Sequence, residues 1–344
     1  MSLQFIMGNS GSGKSYCLYD TVVREAIENP DKNYLVIVPE QFTMQTQKDL
    51  CLAHPKGGIM NIDVLSFGRL AHRVFEEVGQ DARVVLDDEG KNLVLRKIAG
   101  ECEKDLKVFK GNLKKQGYIS EVKSVLSEFA QYGVDFERLD DFMKEVPPES
   151  YLHYKLDDIR TIYEKFEEYL SEKYITKEEM LDVLSDAVPY SDILKGSVVA
   201  MDGFTGFTPV QNRLIGELFS VCEKVMITVT MDGRENPYVY EHPYQIFALG
   251  KQMVTSLMKI AGEKKTEIEE PICLFERPVY RFRDCSEMAF LETELFRYSG
   301  AKYNGSCESV SLHEVRSPGK EAKYVAESIR RLVRTKGYRY RDIA

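Results

Sequence analysis

A chain of 344 residues with 43% hydrophobic and 29% charged content has the composition of a soluble globular protein, long enough for two or three domains and too apolar to be disordered. Its formal net charge of −9 argues against a protein that coats nucleic acid indiscriminately, while leaving room for a local basic track. No apolar run approaches the roughly 20 residues of a membrane span, and no basic-then-apolar leader opens the chain, so a cytoplasmic protein with no membrane partner is expected.

Leu3-Gln4-Phe5-Ile6-Met7 reads as a short buried strand, and Tyr16 to Glu28 as a helix. Between them lies Gly8-Asn9-Ser10-Gly11-Ser12-Gly13-Lys14-Ser15, a complete G-x-x-x-x-G-K-S. Glycines let the backbone turn tightly, so that successive N–H groups point inward and cradle phosphate oxygens. Lys14 would reach the β- and γ-phosphates of a nucleotide as a point charge, and Ser15 would ligate Mg²⁺. The strand–loop–helix order puts those phosphates at a helix N-terminus. A glycine-rich turn that matches by chance is the bland alternative, and the flanking elements speak against it. ATP or GTP is the expected ligand.

Tyr34-Leu35-Val36-Ile37-Val38-Pro39 is an apolar run closed by proline, the pattern of a buried parallel strand. Ile62 to Leu65 reads as a third strand, with a helix from Phe67 to Val78. Strands alternating with helices predict a parallel sheet with right-handed crossovers. From about Leu86 to Ala187 the periodicity is helical, predicting an inserted all-α subdomain. Within it Lys104, Lys107, Lys110, Lys114 and Lys115 would share one side of a helix if Gly111 does not break it. The sheet resumes at Val198 to Met201, followed by a helix from Pro209 to Phe219 and a strand from Lys224 to Val229. Val310 to Val315 reads as a strand, Gly319 to Thr335 as a helix, and Tyr340 to Ala344 as the start of another strand. A domain seldom stops on a strand start, which predicts the front part of a longer protein. Arg330, Arg331, Arg334, Lys336, Arg339 and Arg341 form a second basic cluster. Both clusters read equally as ordinary solvated faces.

Asp202 closes Val198-Val199-Ala200-Met201, and ligands of parallel sheets sit beyond the carboxyl ends of strands. An acid there can hold Mg²⁺, whereas the next position, where a water-activating carboxylate is wanted, is Gly203. The chain is therefore equipped to bind Mg·nucleotide and poorly equipped to hydrolyse it. Glu40 and Glu217 are weak substitutes. Seven cysteines (17, 51, 102, 222, 273, 285, 307) and five histidines are scattered. They form neither a disulfide frame nor a zinc or Ser–His–Asp signature.

Four segments in order resemble the motor domain of superfamily 1 DNA helicases of the UvrD/RecB type. They are the phosphate loop, Val36 to Thr43, Val64-Leu65-Ser66-Phe67-Gly68-Arg69-Leu70-Ala71, and Asp202-Gly203-Phe204-Thr205-Gly206-Phe207-Thr208-Pro209-Val210-Gln211. The wording V-P-E-Q-F-T, L-S-F-G-R-L and D-G-F-T-G-F-T-P-x-Q is narrower and resembles AddB-type subunits of bacterial AddAB helicase–nucleases along essentially the whole chain.

That resemblance implies a P-loop NTPase (RecA-like) α/β domain over 1–85 plus 195–300. It also implies an inserted α-helical subdomain over 86–194 and a truncated second α/β domain beginning at 301–344. It implies a role in double-strand break repair, with an AddA-type motor and nuclease subunit as partner, single-stranded DNA and duplex ends as substrates, and Chi recognition in the full complex. A nuclease domain with a 4Fe-4S cluster is implied only for the C-terminal part of the full-length protein, so the seven cysteines here are not cluster ligands. The second Walker B acid is Gly203, the next signature positions are Thr205 and Gly206, and Thr230 to Asn236 lacks the Gln of a helicase motif. These departures argue against translocation by this subunit. DNA contacts are expected from Thr43, Gln45, Ser66, Phe67 and Arg69. Phe67 reads as a base-stacking aromatic or as core packing, and Ser66 as a DNA contact or a helix N-cap. The other readings are a P-loop nucleotide switch or kinase-like enzyme that binds no DNA, and a scaffold whose phosphate loop is a relic.

Overall fold

The computed structural model describes residues 1–79, 83–113, 115–170 and 173–343. Two compact units divide the chain, Met1–Arg281 and Phe282–Ala344.

The first unit opens with β1 (Ser2–Gly8), α1 (Lys14–Glu28), β2 (Tyr34–Ile37), α2 (Thr43–Ala53), β3 (Ile62–Leu65) and α3 (Phe67–Val78). β4 (Val84–Leu86) then leads into four helices: α4 (Asp88–Cys102), α5 (Gln116–Tyr132), α6 (Phe136–Glu145) and α7 (Tyr151–Leu170). β5 (Tyr174–Thr176) and α8 (Lys177–Ala187) bring the chain back to β6 (Val198–Met201), α9 (Pro209–Val221), β7 (Lys224–Thr230), α10 (Ala248–Lys264), β8 (Glu267–Ile268) and β9 (Ile272–Leu274). The main sheet is parallel at every described pairing and runs β3-β2-β6-β7-β1-β8, with β9 continuing beside β1 beyond β8. β2 and β6 are buried along their whole length, as strands covered by helices on both faces must be.

Alternate residues of each strand feed two cores. Leu3, Phe5, Leu35, Ile37, Val199, Met201, Val225 and Ile227 pack under α3, α8, α9 and α10. Ile6, Tyr34, Val36, Val198, Ala200 and Met226 pack under α1, with Leu50 of α2. Helix boundaries follow from local chemistry. Thr176 with Glu179 and Thr208 with Gln211 form capping boxes at α8 and α9, and Pro209 occupies the first turn of α9.

The helices between β4 and β5 enclose a separate core of Leu95, Ile98, Leu126, Leu139, Ile162, Phe166 and their neighbours. β4 and β5 pair in parallel, with Val84 opposite Tyr174 and Leu86 opposite Thr176. This ribbon is absent from the sequence reading because three-residue strands are too short for periodicity to reveal. The basic track is corrected as well. α4 ends at Cys102, so Lys104, Lys107, Lys110 and Lys115 lie in the turns before α5, with Gly111 at φ 75 breaking the helix. Lys114 lies outside the described residues.

The second unit holds α11 (Ser286–Glu294) and α12 (Pro318–Lys336). Among its described residues there is no strand. Val310–Val315 is irregular, and Tyr340–Asp342 is a 3₁₀ turn closed by Arg339 and Asp342, with Ala344 outside the described residues. Both segments carry strand-forming residues, but a strand needs a partner to satisfy its backbone, and this unit offers none. The expected start of a second α/β domain is thus seen only as helices and turns. Glu287 accepts hydrogen bonds from the backbone N–H groups of Glu308, Ser309 and Val310, fixing that irregular stretch onto α11.

Candidate functional site: the carboxyl edge of the sheet

β1 ends at Gly8, flanked by Thr230 of β7 and Leu274 of β9. A Cβ at Gly8 would lie 2.7 Å from the Leu274 carbonyl oxygen, so the strand can pass only as glycine. The following loop turns on itself. Ser12 N–H donates to Asn9 O at 3.1 Å, and Gly13 serves as the N-cap of α1. Lys14 Nζ folds back and donates to Gly8 O at 3.0 Å and Asn9 O at 2.9 Å. Burial brings its ammonium down to about 8, against the opposing pull of the Asp202 charge and with a further push from Arg281. Ser12 Oγ is buried without a hydrogen-bond partner. Ser10 and Ser15 are exposed, and the first N–H groups of α1 are left for an external acceptor.

Asp202 follows β6 and is only 7% exposed. Its backbone N–H donates to Ile37 O at 3.1 Å, tying it to the end of β2. Two hydroxyls hold the carboxylate: Thr228 Oγ1 donates to Oδ1 at 2.6 Å, and Tyr19 Oη donates to Oδ2 at 2.8 Å. Burial, reinforced by the Asp202 charge, pushes the Tyr19 phenol well above its ordinary value, so it is a neutral donor. Gly203 has φ 79, the left-handed region in which a side chain is strained. Glu40 is exposed, and Glu217 is tied to Lys264 Nζ at 2.9 Å on α9.

Sequence reasoning missed Tyr19, Thr228 and Arg281. The first two carried a faint signal, a polar-tipped aromatic on the apolar face of α1 and a lone hydroxyl inside an apolar strand. Arg281 carried none. Its N–H donates to Gly11 O at 3.0 Å, which places an exposed guanidinium beside the loop. Asp232, two residues beyond β7, is paired with Arg234 and Arg277, each at 2.7 Å. Burial alone would raise its carboxyl, yet these arginines hold it well below the usual range.

The residues expected to touch DNA divide by exposure. Gln45 and Arg69 face solvent, Gln45 donating to Asp49 at 2.7 Å. Thr43 is buried and donates to Glu40 O at 3.0 Å. Ser66 is the N-cap of α3, accepting from Arg69 N–H, and Phe67 is 8% exposed, packed against Phe204 and Phe207 at centroid distances of 5.4 and 6.4 Å. Of the two readings offered for Ser66 and Phe67, the geometry displays the cap and the core. Among the described residues no cluster of three or more His, Cys, Asp or Glu side chains is arranged to hold a metal, every cysteine is free, and no helix is long and apolar enough to cross a membrane.

The description "ADDB, N-terminal" belongs to the family model that matches residues 5–292. Three curated relatives are each named as the B subunit of an ATP-dependent helicase/deoxyribonuclease. That of Lachnoclostridium phytofermentans is 42% identical over 348 residues, that of Thermoanaerobacter sp. 36% over 345, and that of Clostridium tetani 33% over 346. Each alignment takes in 100% of this chain and 30% of the relative, so the chain spans less than a third of the length of these proteins. On a match of that extent, the chain belongs to the AddB N-terminal family.

Proposed function

We propose that this chain is the nucleotide-binding, helicase-like N-terminal portion of an AddB-type subunit. In this reading Gly8 to Ser15 is a P-loop on a RecA-like sheet that takes the phosphates of ATP, with Arg281 as an added cation beside them. The supporting observation is Lys14, whose ammonium rests on the Gly8 and Asn9 carbonyls at the carboxyl edge of the sheet, within the field of Asp202. Such a loop has its own groups to exchange for phosphate oxygens: the Lys14 donors, the free N–H groups of α1 and the unpartnered Ser12 hydroxyl.

The residues present suit Mg²⁺ bound with a nucleotide. Ser15 offers a hydroxyl, Asp202 a fixed carboxylate with spare lone pairs, and the remaining positions are those that phosphate and water fill in such sites. The ion would supply charge neutralisation at the phosphates. Gly203 brings no base to activate water, and hydrolysis is accordingly slow or absent.

The AddB family membership supports a wider role. The full-length protein would work with an AddA-type motor and nuclease subunit in the cytoplasm on duplex ends and single-stranded DNA, in double-strand break repair, with Chi recognition belonging to the assembled complex. Exposed Arg69 and Gln45 are this portion's candidate DNA contacts. The DNA-free switch or kinase-like reading is not favoured by that membership.

The deciding experiment is Mg·ATP binding and turnover by wild type and Lys14→Ala, with and without single-stranded DNA. Lys14-dependent binding with negligible turnover is expected. Absence of binding would make the loop a relic, and DNA-stimulated turnover would overturn the account of Gly203.

A further inference from the structure

Asp202 is gripped from both sides, and neither grip comes from the loop that would carry the nucleotide. Thr228 reaches it from the neighbouring strand β7 at 2.6 Å. Tyr19 reaches it from the second turn of α1 at 2.8 Å, and its own hydroxyl lies 3.2 Å from Thr46 Oγ1 of α2. Four elements, α1, α2, β6 and β7, thereby converge on one carboxylate that is almost wholly buried. A buried charge needs hydrogen-bond partners, but two apolar-face residues would not have to be spent on it if the carboxylate were merely structural; a neutral Asn would serve as well without the desolvation cost.

From this geometry we infer that Tyr19 and Thr228 are positioning residues for Mg²⁺. They lock the Asp202 carboxylate so that its remaining lone pairs face the water shell of an ion carried in on a nucleotide. The inference rests on the nucleotide-binding reading above. Each hydroxyl uses one lone pair of one carboxylate oxygen, so each oxygen keeps a second lone pair for a metal-bound water. Tyr19 spends its one proton on Asp202, so Thr46 donates to the phenol oxygen and would hold it in that orientation. Groups behind a metal-binding carboxylate fix its direction, and their loss typically costs roughly ten- to a hundredfold in metal affinity.

The test separates metal from nucleotide. Fluorescent ATP-analogue binding is measured across a Mg²⁺ titration and again in EDTA, for wild type, Tyr19→Phe, Thr228→Val, Asp202→Asn and Lys14→Ala. Tyr19→Phe and Thr228→Val are expected to raise the Mg²⁺ concentration for half-maximal enhancement by about tenfold, with affinity in EDTA unchanged. An unchanged or lower midpoint in Tyr19→Phe, or an equal loss with and without Mg²⁺, overturns the inference. If Tyr19→Phe does not fold, as judged by circular dichroism, Thr228→Val carries the same test. Failure of the underlying reading looks different: wild type then shows no binding, or binding that ignores Lys14→Ala and Asp202→Asn, and the inference falls with it.

Discussion

Lys14 and Asn9 are joined by a 2.9 Å hydrogen bond from the lysine ammonium to the asparagine carbonyl, so that the most chemically active side chain of the loop is held by the loop itself. Lys14 also donates to Gly8 O. Exchanging these two carbonyls for phosphate oxygens replaces neutral acceptors with charged ones, which make hydrogen bonds roughly twice as strong. Lys14→Ala should therefore reduce ATP affinity by about ten- to a hundredfold, the loss of a charged hydrogen bond worth roughly 1.5–3 kcal/mol, while thermal melting of the apo chain moves little. Calorimetric titration and a melting curve on the same sample check both halves.

On the nucleotide-binding reading, Gly203 bears on whether hydrolysis can be introduced. Placing Glu there supplies the carboxylate that the site lacks, but the backbone at φ 79 costs a side chain about 1–2 kcal/mol. Space is not the obstacle, because the nearest neighbours of an added Cβ are Pro39 and Phe42 at 3.5 and 3.6 Å. Gly203→Glu should lower the midpoint of urea unfolding and leave ATP turnover at the wild-type level, since a strained backbone does not aim its carboxylate. A phosphate-release assay reading faster turnover would contradict this.

Phe67 and Arg69 lie two residues apart, one buried and the other exposed. Phe67→Ala empties a buried aromatic site against Phe204 and Phe207 and should cost about 3–5 kcal/mol of stability. Arg69→Ala removes an exposed cation and should leave stability within about 0.5 kcal/mol of wild type. It should still weaken single-stranded DNA binding and flatten its salt dependence, by close to one unit of slope for one lost phosphate contact. Chemical denaturation and a salt series of DNA titrations distinguish the two variants.

Asp158 on α7 accepts backbone N–H groups from Lys107, Val108 and Phe109 at 2.7–2.8 Å. Asp158→Ala strands three donors, each costing about 1–3 kcal/mol when buried. Hydrogen exchange should accelerate across residues 104–113 and through α4 to α7. Protection of β2 and β6 should persist, because those strands belong to a different core.

Glu167 supplies the pH dependence. Its carboxyl is pushed up to about 7, first by burial and then by the Glu179 charge and the hydrogen bond between the two carboxyls. The folded chain thus binds this proton more tightly than the unfolded chain. Its contribution is fully present below the ordinary glutamate value near 4.5 and is lost as pH rises toward 7. Stability should fall across that window in wild type, and the Glu167→Gln variant should lack this component. Melting temperatures at intervals of half a pH unit suffice.

How much of this was legible depended on the range of the interaction. β2 and α3 were readable because a buried apolar run and a serine cap are local signals. The break at Gly111 was only suspected, since lysines at helical spacing look alike in a helix and in successive turns. Val310–Val315 misread as a strand because strand propensity says nothing about whether a partner edge exists. In the site, Gly8 to Ser15 and Asp202 could be read from pattern. Tyr19, Thr228 and Arg281 could not, because their placement arises from contacts between distant segments that no spacing in the chain encodes.

The ribbon of β4 and β5 bears on how the chain can be edited. β4, from which the chain departs, and β5, by which it returns, lie side by side, with Val84 opposite Tyr174 and Leu86 opposite Thr176, about 4.8 Å apart as paired strands are. The stretch between them is therefore a parenthesis in the polypeptide, opened and closed at one point. Insertions, deletions or wholesale replacement of that parenthesis leave the order of the seven main-sheet strands untouched. The helical excursion therefore leaves and rejoins the main unit through one short ribbon, although α5 also packs against α8 and α9.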